Sequence, residues 1–144
     1  MIQIISNIQI YRPITRVFDF ISHPENDFQW QYGTLASASV SENAAGLGAC
    51  FQNTTLLMGH RIQSTFEVTE YEPNSKYGYK SLSGPLQSFT SFAFNIAKGA
   101  TQVKLSLQAN LVNWIESNEN ILEKKMKRQT KENLEILKNI LETG

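Results

Sequence analysis

The feature that most constrains the fold is a change of hydrophobic period along the chain. From Thr34 to about residue 111, apolar residues recur at every second position, whereas after Trp114 they recur at helical spacing. A period of two is typical of strands with one buried face, and a period of 3.6 is typical of an amphipathic helix. The chain is therefore predicted to form an antiparallel sheet followed by one long helix.

The strand-like region divides into six segments separated by short breaks that contain glycine, proline or asparagine. The segments run over residues 34–41, 49–58, 60–71, 76–82, 86–97 and 101–111. Short breaks favour antiparallel hairpins between consecutive strands. Ile62 and Phe66 share one strand face, and Phe92 and Phe94 form the bulky inward set of another strand.

The region before Thr34 is predicted to form one strand and two short helices. Ile4, Ile8 and Ile10 alternate with mostly polar residues, as in a half-buried strand. Pro13 suits the first turn of a helix, because the N–H group that proline lacks would be unpaired there. Pro24 opens a second short helix, and Trp30 lies near its end.

The last part of the chain is predicted to form a helix of about 25 residues, which would be ~37 Å long. Its apolar stripe consists of Leu122, Met126, Thr130, Leu134, Leu137 and Leu141, widened by Ile121 and Ile140. Ser117 or Asn118 is the predicted N-cap. One helix can cover a strongly curved sheet without filling it, so an apolar gap suited to a small molecule is expected between them.

This order of elements resembles the START-like superfamily (SRPBCC, the helix-grip fold), and in particular its polyketide cyclase/dehydratase and lipid-transport branch. The motifs that carry the resemblance are Pro13-Ile14-x-x-Val17-Phe18, Pro24-Glu25-Asn26, Trp30, Gly46-Leu47-Gly48-Ala-Cys-Phe51 and Glu67-Val68-Thr69-Glu70-Tyr71-Glu72-Pro73. They span nearly the whole chain, and a length of 144 residues is typical of one domain, over 1–144. The resemblance implies an α+β fold: a seven-stranded antiparallel curved sheet wrapped around a long C-terminal helix, with two short helices between strands 1 and 2.

The resemblance also implies a ligand cavity between the sheet and the last helix. The predicted lining consists of Trp30, Ile62, Phe66, Tyr77, Tyr79, Phe92, Phe94, Met126 and Thr130. Tyr77 and Tyr79 share a strand face and could offer hydroxyl groups to a ligand. The alternative is that these side chains meet and fill the space. Trp30 either forms a wall of the pocket mouth or holds the short helices on the sheet.

His60 is the candidate acid or base of the cavity. It has the same strand parity as Ile62 and Phe66, and the ordinary pKa of histidine suits a general base. The alternative is an exposed histidine at a hairpin. Glu67 and Glu70 are predicted to point to opposite faces of their strand, so they would not form a carboxylate pair.

The other reactive side chains are interpreted structurally. Cys50 is the single cysteine, so it forms no internal disulfide, and no base accompanies it in the sequence. Gly46 and Gly48 belong to a turn, since the Gly-Lys-Ser/Thr of a phosphate loop is missing. His23 lies at a helix break. No metal site and no cofactor are predicted.

The charge balance argues against nucleic acid and anionic membranes as partners. Thirteen basic residues balance thirteen acidic ones. A basic run between Lys124 and Lys131 could meet an acidic partner, although a solvated helix face is the simpler interpretation. The segment after Met1 is strand-like, unlike a signal peptide, and no apolar run reaches the ~18 residues of a membrane span. A cytoplasmic monomer or homodimer is expected.

Three functional hypotheses follow. The leading one is binding of a small hydrophobic ligand, lipid- or polyketide-like, in the cavity. The second is a polyketide cyclase/dehydratase-type enzyme that uses the same cavity, although no catalytic constellation is visible in the sequence. The third is a partner-binding or homodimerising module. A titratable side chain in the cavity would favour the enzyme, and an apolar lining would favour binding.

Overall fold

The computed structural model describes residues 1–31, 33–40, 46–57, 59–111 and 119–144. The elements in chain order are β1 (Ile2–Ile10), α1 (Ile14–Ile21), α2 (Asp27–Trp30), β2 (Thr34–Ser39), β3 (Cys50–Leu57), β4 (His60–Glu72), β5 (Lys76–Ser83), β6 (Leu86–Ala97), β7 (Ala100–Leu111) and α3 (Glu119–Thr143). A single 3₁₀ turn, Pro24–Asn26, leads into α2. This order confirms the strand, the short helices, the six further strands and the long helix expected from the hydrophobic periods.

The seven strands form one antiparallel sheet in the order β1-β7-β6-β5-β4-β3-β2. The first strand therefore pairs with the last one, and each strand from β2 to β7 pairs with its neighbour in sequence. Such hairpin pairing is what the short breaks between strands favour. The curved sheet, the long C-terminal helix and the two short helices between β1 and β2 confirm the helix-grip fold.

The pairing of β4 with β5 contains irregularities that correct one prediction. The register shifts between Thr65 and Phe66, and again between Val68 and Glu70. A bulge adds a residue to one strand, so the alternation of faces is reversed beyond it. Glu67 pairs with Lys80, and Glu70 pairs with Gly78, which places both glutamates on the same face. The expectation that they point to opposite faces was wrong.

These two glutamates nevertheless have separate partners. Glu67 forms an ion pair with Lys80 at 3.6 Å, and Glu70 accepts a hydrogen bond of 2.6 Å from the hydroxyl of Ser91. They therefore do not act as a paired acid and base.

The core consists of two apolar clusters that contact different parts of α3. The first cluster includes buried side chains of α1 and, from the C-terminal half of α3, Leu134, Leu137 and Leu141. The second contains Leu122, at the beginning of α3. Between them, Met126 and Thr130 are only partly buried. The apolar stripe of the helix is thus interrupted in its first half.

Two details of the helices differ from the predictions. Pro13 has a ψ of 144°, so it precedes α1 as the N-cap instead of occupying the first turn. Ile121 was expected to widen the buried stripe of α3, but its side chain is 47% exposed. Ser117 and Asn118, the predicted N-cap of α3, lie outside the described residues.

Candidate ligand-binding groove

Two adjoining cavities lie between the sheet and α3, at the helix positions that separate the core clusters. One has a volume of about 190 Å³ and the other a volume of about 150 Å³. Gln31, Thr130 and Asn133 border both. We call them the larger and the smaller lobe of one groove.

The two lobes differ in the elements that form them. The larger lobe is also bordered by Thr34, Thr55, Leu57, Ile62, Ser64, Phe66, Leu86, Ser88, Met126 and Gln129. The smaller lobe is also bordered by Trp30, Tyr79, Thr90, Phe92, Leu105 and Leu107. Strands β2, β3, β4 and β6 therefore contribute to the larger lobe, and β5, β6 and β7 to the smaller lobe, which α2 closes with Trp30.

Most of the side chains predicted from the sequence border the groove. Ile62, Phe66 and Met126 border the larger lobe. Trp30, Tyr79 and Phe92 border the smaller lobe. Thr130 borders both. Their role in binding a ligand stays a prediction.

Tyr77, Phe94 and His60 are placed elsewhere. Tyr77 and Phe94 are 2% and 4% exposed and belong to the first core cluster, and neither borders a lobe. The Phe94 ring packs edge-on against Phe18 of α1, with ring centroids 5.1 Å apart. These side chains share a strand face with lining residues, but at this end of the sheet α1 fills the space. His60 pairs with Leu57 at a hairpin end and borders neither lobe.

Several polar lining residues escaped the sequence analysis. Gln31 and Asn133 border both lobes, and Ser88 and Thr90 border one each. A signal existed for some of them: Ser88 and Thr90 have the strand parity of Phe92, and Asn133 follows Thr130 by three positions on the helix. Because these side chains are polar, the hydrophobic period alone does not mark them as lining residues.

The position of Trp30 is compatible with both roles that the sequence left open for it. Its side chain borders the smaller lobe and is also buried, with 2% exposed. The indole meets the Phe92 ring edge-on, at 6.3 Å between centroids. Its Nε1 has no hydrogen-bond acceptor among the residues that the structure describes. Trp30 therefore holds α2 on the sheet and leaves one donor unsatisfied beside the groove.

Comparison with known proteins identifies the family. The sequence matches the family described as polyketide cyclase / dehydrase and lipid transport over residues 1–142. The chain belongs to this family. This match confirms the resemblance to the START-like superfamily that the sequence motifs indicated. A comparison with curated proteins found no match.

Several solved structures share the fold of this protein. TTHA0849 from Thermus thermophilus has a TM-score of 0.82 and 17% identity, over 95% of this chain and 94% of that chain. A START superfamily protein from Mycobacterium smegmatis has a TM-score of 0.71 and 13% identity, over 99% and 96%. The di-domain ARO/CYC BexL from the BE-7585A biosynthetic pathway has a TM-score of 0.74 and 12% identity, over 96% of this chain and 46% of that chain. At these identities the likeness concerns the fold.

Among the described residues, Tyr79 is the only titratable side chain that borders the groove. Burial raises the pKa of its phenol, and the nearby Asp27 carboxylate raises it further. Hydrogen bonds with the side chains of Thr90 and Gln31 oppose the shift without cancelling it. The phenol consequently keeps its proton at neutral pH and can donate a hydrogen bond.

Asp27 is a buried acid that the sequence analysis did not single out. Its side chain is 3% exposed, at the first position of α2. Burial raises the pKa of the carboxyl group well above its ordinary value, and the neighbouring Glu25 adds to the shift. Asp27 borders neither lobe, although it lies close enough to Tyr79 to affect the pKa of the phenol.

The other groups considered for chemistry lie away from the groove. Cys50 is partly buried, and its Sγ lies 3.7 Å from the carbonyl oxygen of Gly48. Gly46 and Gly48 have φ angles of 96° and 84°, as expected for a turn. No group of potential metal ligands occurs among the described residues. In the same part of the chain, no helix combines the length and hydrophobicity needed to cross a membrane.

Proposed function

We propose that this protein is a cytoplasmic binder of a small hydrophobic molecule, lipid- or polyketide-like, which it holds in the groove between the sheet and α3. The observation that carries the proposal is the pair of adjoining lobes where the apolar stripe of α3 is interrupted. Their volumes of about 190 and 150 Å³ together reach the lower end of the range of small-molecule pockets, roughly 300–1,000 Å³.

The composition of the groove supports binding driven by burial of apolar surface. Phe66, Phe92 and Leu107 provide apolar walls, and Met126 adds a flexible thioether that adapts to the shape of a ligand. Each Å² of apolar surface removed from water contributes about 25 cal/mol. Hydroxyl and amide groups between the apolar side chains would fix the orientation of the ligand.

The enzymatic alternative has less support in the lining. Cyclisation or dehydration requires a group that accepts or donates a proton near neutral pH. Among the described residues, the groove offers only Tyr79, whose raised phenol pKa makes it a weak acid and leaves almost no phenolate to act as a base. BexL carries ARO/CYC in its name, but 12% identity conveys a fold and not a reaction. Binding is therefore the function that we favour.

A cavity-filling variant tests the proposal. Met126 borders the larger lobe, so Met126→Trp should occupy space that a ligand would use. The neutral dye N-phenyl-1-naphthylamine becomes fluorescent in apolar surroundings and reports binding directly. We expect the wild type to bind the dye and Met126→Trp to bind it at least about tenfold more weakly, because overpacking opposes ligand entry.

Lys131→Trp is the matched control, because it adds the same indole to an exposed position of the same helix. It should bind the dye as the wild type does. If folded Met126→Trp binds the dye as tightly as Lys131→Trp does, the groove is not the binding site. Native mass spectrometry of the purified wild type would show in addition whether a natural ligand is retained.

A further inference from the structure

The groove contains hydrogen-bonding groups without charge. Hydroxyl and carboxamide side chains border both lobes, Gln31, Thr130 and Asn133 among them. Within the described part of the chain, no lysine, arginine, histidine, aspartate or glutamate borders either lobe. An ion buried without a partner of opposite charge loses far more hydration than a neutral polar group does. The lining thus suits a molecule that is polar in places and uncharged.

Two of the hydrogen-bond donors at the wall of the smaller lobe belong to aromatic side chains, Trp30 and Tyr79. The indole Nε1 of Trp30 can only donate, and it lacks an acceptor among the described residues although the side chain is buried. A buried donor without an acceptor is costly and uncommon in native proteins. Because Trp30 borders the smaller lobe, an acceptor for its N–H can come from a molecule that occupies that lobe. Tyr79 borders the same lobe and retains a phenolic proton.

The described lining of the smaller lobe offers no countercharge to an ion. A ligand carboxylate would find no lysine or arginine among the described lining residues to balance its charge. A ligand ammonium group could not accept a hydrogen bond from Trp30 or Tyr79.

We infer that the ligand is an uncharged molecule that presents a carbonyl, ether or hydroxyl oxygen to Trp30 Nε1 and the Tyr79 hydroxyl in the smaller lobe. This inference rests on the proposed function and narrows it to one chemical class. Fatty-acid anions, phospholipids with charged head groups, amines and pure hydrocarbons would be poorer ligands than oxygenated neutral molecules of equal size.

Four two-ring compounds of matched size test the inference with the wild-type protein. They are 2-acetylnaphthalene, 2-ethylnaphthalene, 2-naphthoate and 2-naphthylmethylammonium, and equilibrium dialysis at pH 7 measures the binding of each. We expect the ketone to bind roughly two- to tenfold more tightly than the hydrocarbon, the gain typical of one or two hydrogen bonds. Both ions should bind at least about tenfold more weakly than the ketone.

Two variants locate the donors. Trp30→Phe removes the indole N–H, and Tyr79→Phe removes the phenol while retaining the ring. Each should reduce the preference for the ketone over the hydrocarbon and leave hydrocarbon binding within about twofold of wild type. Tyr71→Phe removes a phenol that borders neither lobe, and it should preserve the preference. If Trp30→Phe does not fold, Tyr79→Phe and the four compounds with the wild-type protein still test the inference.

The possible failures are distinguishable. If the hydrocarbon or either ion binds as tightly as the ketone, the inference is wrong and the proposed function survives. If the ketone is preferred equally by the wild type and both variants, the assignment to Trp30 and Tyr79 is wrong. If none of the four compounds binds, the proposed function fails together with the inference.

Discussion

Lys138 of α3 donates a hydrogen bond from Nζ to the backbone oxygen of Gln9 in β1, across 2.6 Å. The same ammonium group lies 2.6 Å from a carboxylate oxygen of Glu142 and 4.7 Å from the centre of the Tyr11 ring. One cation therefore connects the last helix with the first strand. Since the groove lies between the sheet and this helix, the connection helps to fix one of its walls.

Replacement of Lys138 tests this connection. Lys138→Met keeps most of the aliphatic chain and removes the ammonium group with its partners. We expect the free energy of unfolding to fall by about 1–3 kcal/mol, the usual contribution of hydrogen bonds to a charged group. Urea denaturation measures the change. Lys125→Met, at an exposed position of the same helix, should change the stability by no more than about 0.5 kcal/mol. Equal urea midpoints of Lys138→Met and Lys125→Met would contradict the prediction.

Gly33 provides a second test, at the junction of α2 and β2. Its φ angle is 90°, and a Cβ atom added to it would lie 2.7 Å from the backbone oxygen of Leu56. Gly33→Ala should therefore suffer from backbone strain and from a collision with backbone that cannot easily move. Gly99 has a φ angle of 75°, but an added Cβ would meet nothing within 4 Å, so Gly99→Ala isolates the strain.

Comparison of these two alanine variants separates the contributions. We expect Gly99→Ala to cost about 1 kcal/mol and Gly33→Ala to cost at least about 1 kcal/mol more, as measured by urea denaturation. Similar losses in the two variants would show that the chain around Leu56 yields to the added methyl group.

The strands were predictable because their alternation extends over many residues. The segment 60–71, for example, corresponds to β4, His60–Glu72. Hydrophobic period and short breaks determine such elements locally. The faces of Glu67 and Glu70 were not predictable, because the bulge between Val68 and Glu70 depends on the pairing with β5. A bulge of one residue leaves no clear mark in composition.

The lining of the groove was predictable only in part, for a similar reason. Phe92 and Phe94 have the same strand parity, but Phe92 borders the smaller lobe and Phe94 packs against Phe18. Which of them reaches the groove depends on the position of α1 across the sheet. Asp27 gave no signal, because an aspartate at the beginning of a helix is usually exposed, and its burial results from the packing of α2.

Asp27 predicts a pH dependence of stability. Burial raises the pKa of its carboxyl group above the ordinary value of 3.8. At a pH between the pKa of Asp27 in the unfolded state and its raised pKa in the native state, the native state holds a proton that the unfolded state has lost. The free energy of unfolding therefore falls as the pH rises through this window. Each pKa unit of the shift corresponds to about 1.4 kcal/mol.

Asp27→Asn should remove this loss, because the amide does not ionise. We expect the stability of the variant relative to wild type to increase from pH 4 to pH 7 in urea denaturation. Glu132→Gln, which neutralises an exposed carboxylate of α3, should show a much smaller pH-dependent difference. A constant difference between Asp27→Asn and wild type over this range would contradict the prediction.

Thr130 tests whether a ligand occupies the junction of the two lobes, because its side chain borders both. Thr130→Leu enlarges the side chain at the junction and should weaken binding of 2-ethylnaphthalene by about fivefold or more in equilibrium dialysis, since the added volume competes with the ligand. Lys131→Leu places the same side chain on the exposed face of α3 and should bind like wild type. If folded Thr130→Leu retains wild-type affinity while Met126→Trp loses it, the ligand lies in the larger lobe alone. Losses in both variants would show that the ligand extends from the Met126 end of the larger lobe to the junction, where the two lobes meet under the helix.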